Sequence, residues 1–109
     1  MYEDRIVLCG ANSYEQKYYL NPDFDALPET IKQELQIMCV LYTEDVGGIL
    51  TLVFEEDGAL QFEVTVEEGD LLFDEIGSHL KIKEFQRTKT ELLESLELYY
   101  KVFFLGEEL

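Results

Sequence analysis

Residues 49–66, ILTLVFEEDGALQFEVTV, decide the reading of the chain. Two alternating arms flank Asp57-Gly58, with Leu50, Leu52 and Phe54 on one face of the first and Leu60, Phe62, Val64 and Val66 on one face of the second. Side chains of a strand repeat every two residues, so the turn must keep those two faces on the same side of the sheet. A two-residue Asp-Gly turn sets Phe54 opposite Gln61 and Leu52 opposite Glu63, mixing core with solvent. A three-residue loop, Glu56-Asp57-Gly58, pairs Phe54 with Leu60, Leu52 with Phe62 and Leu50 with Val64. It also puts Gly58 at the left-handed position such loops require. The sequence therefore predicts a bulged hairpin.

Upstream, RIVLC (5–9) reads as a short strand, GANS as a turn cluster, and YEQKYYL as a second strand with Tyr14, Gln16, Tyr18 and Leu20 on one side. Glu15, Gln16 and Lys17 tolerate helix, so a short helix over 13–20 competes with this first hairpin. Asn21-Pro22 breaks what precedes it. Pro28 sits where a first-turn proline belongs, with Glu29 near the positive helix end. Ile31, Leu35, Met38, Cys39 and Tyr42 then recur at helical spacing. The run IMCVLY is apolar all round, which predicts a helix end buried on more than one side. Gly47-Gly48 ends that helix or begins the next strand.

Downstream of the central hairpin the chain reads as mostly helical. Asp70 is placed to cap the turn opening LLFDEI, and Gly77 weakens the helix there. HLKIKEF alternates as a strand does, leaving residues 79–86 open between helix and strand. Thr88 to Glu91 fits a capping box. Leu92, Leu96, Tyr99 and Phe103 repeat at 3.6 spacing, with Leu93 and Tyr100 beside them. YYKVFFL is too apolar for one exposed face: either this helix crosses the core, or Phe103, Phe104 and Leu105 meet another chain. GEEL reads as a solvated tail. The expectation is one α+β domain over residues 1–109, an antiparallel sheet of about four strands with about three helices packed on one face.

Composition narrows the function. At 109 residues and 47% hydrophobic content, the chain can bury an ordinary core without staples. MYEDRIVLCG lacks the apolar stretch of a secretory signal, and IMCVLY is far short of a membrane span. A cytoplasmic location is expected, with reduced thiols. Twenty-four acidic against eight basic residues give −16, a field that disfavours nucleic acid and anionic membrane as partners. That charge maintains solubility or forms a face for a basic partner. It is also uneven: HLKIKEFQRTK (79–89) holds Lys81, Lys83, Arg87 and Lys89, with Glu84 as its only acid. Such asymmetry suits self-complementary contacts or pairing with glutamates inside the chain.

No catalytic signature emerges. A cysteine nucleophile needs a base or a positive field, and the one histidine, His79, lies seventy residues from Cys9. Cys9 with His79, and Asn12 as third member, is the enzymatic candidate; a buried thiol ending a core strand is the plainer account. Cys39, between Met38 and Val40, reads as core. One histidine and two distant cysteines supply no zinc set, and the loop at Glu55-Glu56-Asp57-Gly58 has Val64 where a calcium loop carries its terminal glutamate. Glu44-Asp45 and Asp74-Glu75 are acid pairs suited to solvated helix ends. Gly47-Gly48 lacks the lysine and further glycine of a phosphate loop. No cofactor or metal is expected.

CGANSYEQKYYLN, LPETIKQELQIMCVLYTEDVGGIL, GDLLFDEIGSHLKIKE and YYKVFFLGEE together resemble a family of short acidic bacterial proteins known only as a domain of unknown function. The resemblance spans nearly the whole chain and implies a bacterial cytoplasmic protein, with no activity, cofactor or site residue to carry over. The favoured function is a non-catalytic protein-interaction module, partnered by another protein or by itself as a homodimer. Lys81, Lys83, Arg87, Lys89, Tyr99, Phe103 and Phe104 are its candidate contacts. The alternative is a small-ligand binder or enzyme with a pocket near Cys9, Asn12, Tyr14 and His79.

Overall fold

A computed structural model describes residues 5–108. Met1–Asp4, where the reading against a signal begins, and Leu109, the end of the tail, lie outside the described residues. In chain order the elements are strands β1 (Ile6–Asn12) and β2 (Lys17–Leu20), a 3-10 turn at Pro22–Phe24, helix α1 (Glu29–Val46), strands β3 (Ile49–Phe54) and β4 (Leu60–Thr65), and helices α2 (Glu75–Thr88) and α3 (Thr90–Phe103). The four strands form one antiparallel sheet in the order β2-β1-β3-β4, and with the three helices make an α+β fold.

The central hairpin has the predicted register: Phe54 faces Leu60, Leu52 faces Phe62 and Leu50 faces Val64. Gly58 donates its N–H to the Glu55 carbonyl and Glu55 donates to Ala59, closing a three-residue loop with Gly58 at φ 93°. Leu50, Leu52 and Phe54 are all buried, each worth roughly 1.5–3 kcal/mol over leaving it in water. At the sheet edge the Leu60 N–H is taken by the Glu97 carboxylate of α3 (2.7 Å), which covers a donor that an edge strand otherwise leaves open.

The first hairpin also forms, but its turn comes later than GANS. Gly10, Ala11 and Asn12 continue β1, and the turn occupies Ser13–Gln16. Gly10 is needed in the strand because a Cβ there would stand 2.8 Å from the Leu50 carbonyl oxygen. Asn12 ends the strand by accepting the N–H groups of Tyr14 and Glu15 on its side chain. A bulge between Val7 and Cys9 turns both Leu8 and Cys9 inward.

In α1, Pro28 is the N-cap and Glu29 the first helical residue, one position off the expectation. Leu35, Met38, Cys39 and Tyr42 are buried as the spacing implied and Ile31 is partly buried, while Val46, outside the predicted stripe, is buried too. IMCVLY is buried on two sides, against the sheet and against α2, but Ile37 and Leu41 on its open side are 59% and 47% exposed.

The C-terminal third needs two corrections, at Asp70 and at Thr88, and the structure decides the open reading of 79–86. Asp70 accepts the Leu72 N–H in a local turn, yet α2 begins at Glu75 and is capped by Asp74, whose carboxylate accepts from Gly77. Gly77 is thus part of the cap, since a Cβ there would collide with the Asp74 carboxylate. HLKIKEF is helix throughout, with Ile82 and Phe85 inward and Leu80 outward. Thr88 to Glu91 makes no capping box, because Thr88 is the last residue of α2 and its hydroxyl donates back to the Glu84 carbonyl. In α3, Leu92, Leu96 and Tyr100 are buried while Phe103 is 71% exposed. Phe104 returns to the core edge, its ring 4.7 Å from Phe24 and 5.0 Å from Tyr100, and Tyr100 stacks 4.3 Å from Phe54.

Candidate functional site

The bulge that turns Cys9 inward puts its thiol under α1, where Sγ lies 3.9 Å from Sγ of Cys39; both are free and fully buried. Contact with the Cys9 thiol, then burial, pushes the Cys39 thiol well above its ordinary value. The Tyr18 hydroxyl sits against both thiols. It has no hydrogen-bond partner among the described residues, and burial raises its pKa strongly. This is a neutral, water-excluded cluster, the opposite of what activates a thiolate.

His79 is exposed on α2, so Cys9 and His79 share no surface. Asn12 spends its side-chain oxygen on the first turn. Tyr14 donates its hydroxyl to Asp70 (2.5 Å) and accepts the Glu67 N–H, tying the first turn to the segment before α2. That bond lowers the Asp70 pKa and raises that of Tyr14. Of the four polar groups expected around one pocket, only Asn12 borders a substantial cleft. This cleft, about 480 Å³, lies between the first hairpin and α1, with Gln16, Tyr18, Gln36, Thr43 and Glu44 also lining it. Amides, hydroxyls and one carboxylate can hydrogen-bond a small polar molecule, but they contain no nucleophile–base pair. Among the described residues no three His, Cys, Asp or Glu side chains converge as a metal ion needs.

The basic window divides in two. Lys81 is held within the fold by Asp45 (2.7 Å) and Glu84 (3.5 Å), which raise its pKa, and its amine stands 6.0 Å from the Phe85 ring centre. Lys83 and Arg87 are exposed and pair with no carboxylate among the described residues. Lys89 is partly buried beside the hollow between α1 and the α2–α3 junction. At the far end, Phe103 stacks on Tyr99 (4.8 Å) with most of its ring in solvent, while Phe104 is largely engaged by the aromatic cluster.

The exposed apolar residues of the two packed helices, beside Lys83 and Arg87, went unnoticed in the sequence. On α2, Ile76, Leu80, Lys83 and Arg87 fall four, three and four residues apart and so form one stripe, offset by two residues from the buried Ser78 and Phe85. Ile76 is 76% and Leu80 61% exposed, and Leu71 and Leu72 just before the helix are each 94% exposed. On α1, Glu34, Ile37, Leu41 and Glu44 form the matching outward stripe. The signal was present: an apolar pair two residues out of phase with the core positions. The two helices are joined by a buried hydrogen bond, Tyr42 to Ser78, at 2.5 Å between hydroxyl oxygens. No helix among the described residues is long and apolar enough to cross a membrane.

Comparison with curated proteins and with solved structures returned no match. Residues 5–108 match the sequence pattern of a family of unknown function, DUF6145, and the chain belongs to that family.

Proposed function

We propose that this chain is a non-catalytic protein-interaction module: a single cytoplasmic α+β domain, bacterial as the resemblance implies, that works through the outer face of its helical layer. One observation carries the reading. In a chain of −16 net charge, Ile76 and Leu80 stand in water on the same stripe of α2 as Lys83 and Arg87, which pair with no carboxylate among the described residues, and Leu71 and Leu72 just before the helix are exposed as well. Isolated exposed apolar residues need no explanation, but a contiguous apolar strip with a charged rim is how contact surfaces are built. The sealed thiols and the solvent-exposed His79 support a non-catalytic role. The acidic remainder disfavours nucleic acid and membrane partners.

A photo-crosslinking residue at Leu80, in cells producing the chain, is expected to trap a protein adduct, either another protein or a second copy. The same residue at Gln61, on exposed β4, should trap none. Equal yields at the two positions, or none at Leu80, would refute the reading.

A second reading, a small polar ligand in the cleft beside Asn12, is favoured by the amides, hydroxyls and carboxylate of Asn12, Ser13, Gln16, Gln36, Thr43 and Glu44 that line it. Native mass spectrometry would register it as a small added mass that survives moderate salt. A bare chain mass under gentle conditions would count against it.

A further inference from the structure

We infer that the outer face of the α1–α2 pair docks a second copy of this chain, α1 of one copy lying against α2 of the other across a two-fold axis running along the pair. The inference rests on the interaction-module reading and names its partner.

Three observations select a second copy. The two stripes are complementary in kind: Glu34, Ile37, Leu41 and Glu44 on α1 are apolar with acidic ends, while Ile76, Leu80, Lys83 and Arg87 on α2 are apolar with a basic end. Neither stripe is answered by an ion pair among the described residues. The α2 stripe points away from the sheet, offset by two residues, roughly 200° of helical rotation, from Ser78 and Phe85; on α1, Glu34, Ile37 and Leu41 each precede a buried residue, roughly 100° round from the packed face, and Ile37 and Leu41 stand 59% and 47% exposed.

The third observation is register. Tyr42 near the end of α1 bonds Ser78 near the start of α2, whereas Ile31 and Glu34 border the same hollow as Thr88 and Lys89. The helices are therefore antiparallel, with Glu34 at the level of Arg87 and Leu41 at the level of Leu80. A two-fold axis along the pair preserves those levels. It brings Leu41 against Leu80 of the second copy at the centre, and Glu34 within reach of Arg87 and Lys83 of the second copy at the rim. Ile37 then lies under the aliphatic stem of Lys83 from that copy. Because the interface is isologous, each contact occurs twice, and two Leu41–Leu80 pairs with two Ile37–Lys83 stem contacts close an antiparallel four-helix arrangement. An axis across the pair would instead set acidic α1 against acidic α1, which like-charge repulsion opposes.

Sedimentation equilibrium of the purified chain tests this, with circular dichroism confirming that each variant folds. The native chain should dimerise, less tightly as salt rises. K83E/R87E and, separately, E34R should each weaken the dimer by at least about tenfold, since each converts a twice-repeated attraction into repulsion. Leu80→Glu should weaken it at any salt. An equimolar mixture of K83E/R87E with E34R should recover dimer as a heterodimer, because every acid again meets a base. The inference is overturned by a native chain that sediments as a monomer at all concentrations, by variants that dimerise unchanged, or by a mixture that gives no recovery. If adducts still form at Leu80 in cells while the purified chain is monomeric, the interaction reading stands and the self-pairing does not.

Discussion

Tyr42 and Ser78 form the only polar link through the seam between α1 and α2 that is buried on both sides among the described residues, with exposures of 0% and 7%. Replacing Tyr42 with Phe keeps the ring and removes the hydroxyl. The loss is one hydrogen bond, about 1 kcal/mol net, and the stranding of the Ser78 hydroxyl in a dry seam, about 1–3 kcal/mol in total. Ser78→Ala strands the Tyr42 hydroxyl instead, at a similar cost reduced by about 0.5 kcal/mol because alanine is the better helix former. The double variant strands nothing and should be no worse than either single one. A coupling energy of about 1–2 kcal/mol is expected, outside the ~0.3–0.5 kcal/mol within which independent sites add. Guanidinium unfolding of the native chain, the two single variants and the double variant measures it, provided the slope stays constant. Strictly additive losses would mean that the two hydroxyls do not depend on one another, and the packing of α2 on α1 described here would be wrong.

Three further outcomes follow from the packing of the thiols, the hairpin loop and the Tyr14–Asp70 tie. Cys9 and Cys39 should resist an aromatic disulfide reagent in the native chain and both titrate in denaturant; one rapidly reacting native thiol would reopen the enzymatic reading. Gly58→Ala should lose about 1–2 kcal/mol, since φ is 93° and the new Cβ would stand 2.8 Å from Lys101 Cγ; an unchanged midpoint would contradict the bulged loop. Asp70 is held below the ordinary aspartate value of 3.8 by the Tyr14 hydroxyl, so the tie it makes is complete above that value and lost as pH falls through the lowered one. Tyr14 is raised above 10.0, so its side of the tie is complete below that value and fails as pH climbs through the raised one. Carboxyl titration by NMR should find Asp70 returning toward its ordinary value in Tyr14→Phe; no movement would remove the bond from the account.

How much of this was legible in the sequence depended on whether neighbours along the chain or across space set the outcome. The hairpin over 49–66 was legible to the residue, because alternation and one glycine leave a single register that keeps Leu50, Leu52 and Phe54 on the side of Leu60, Phe62 and Val64. The core stripe of α1 was legible for the same reason. Competing local signals failed: Asp70 and Asp74 are both plausible caps, and Tyr14, fifty-six residues away, claims the first. Thr88 and Glu91 have the spacing of a capping box, but helix α2 runs on through Thr88 and takes its hydroxyl. The meeting of Cys9 with Cys39 depends on a bulge at Leu8 and on where α1 crosses the sheet, neither of which is written in local pattern. At the candidate surface the window 79–89 was found by charge, yet charge alone did not tell that Lys81 is spent on Asp45 while Lys83 and Arg87 are not. The apolar half of that surface was missed because IMCVLY was read as buried on more than one side without saying which side stays open, and no described residue covers Ile37 and Leu41.

The most direct measurement is a backbone amide NMR spectrum recorded across a dilution series of the native chain. The account predicts concentration-dependent shifts confined to the outward positions of α1 and α2, around Glu34, Ile37 and Leu41 and around Ile76, Leu80 and Arg87. The amides of β4 and of the first hairpin around Asn12 should stay fixed. Spectra that do not change with concentration, or shifts centred on the open face of the sheet or on Phe103, would contradict it.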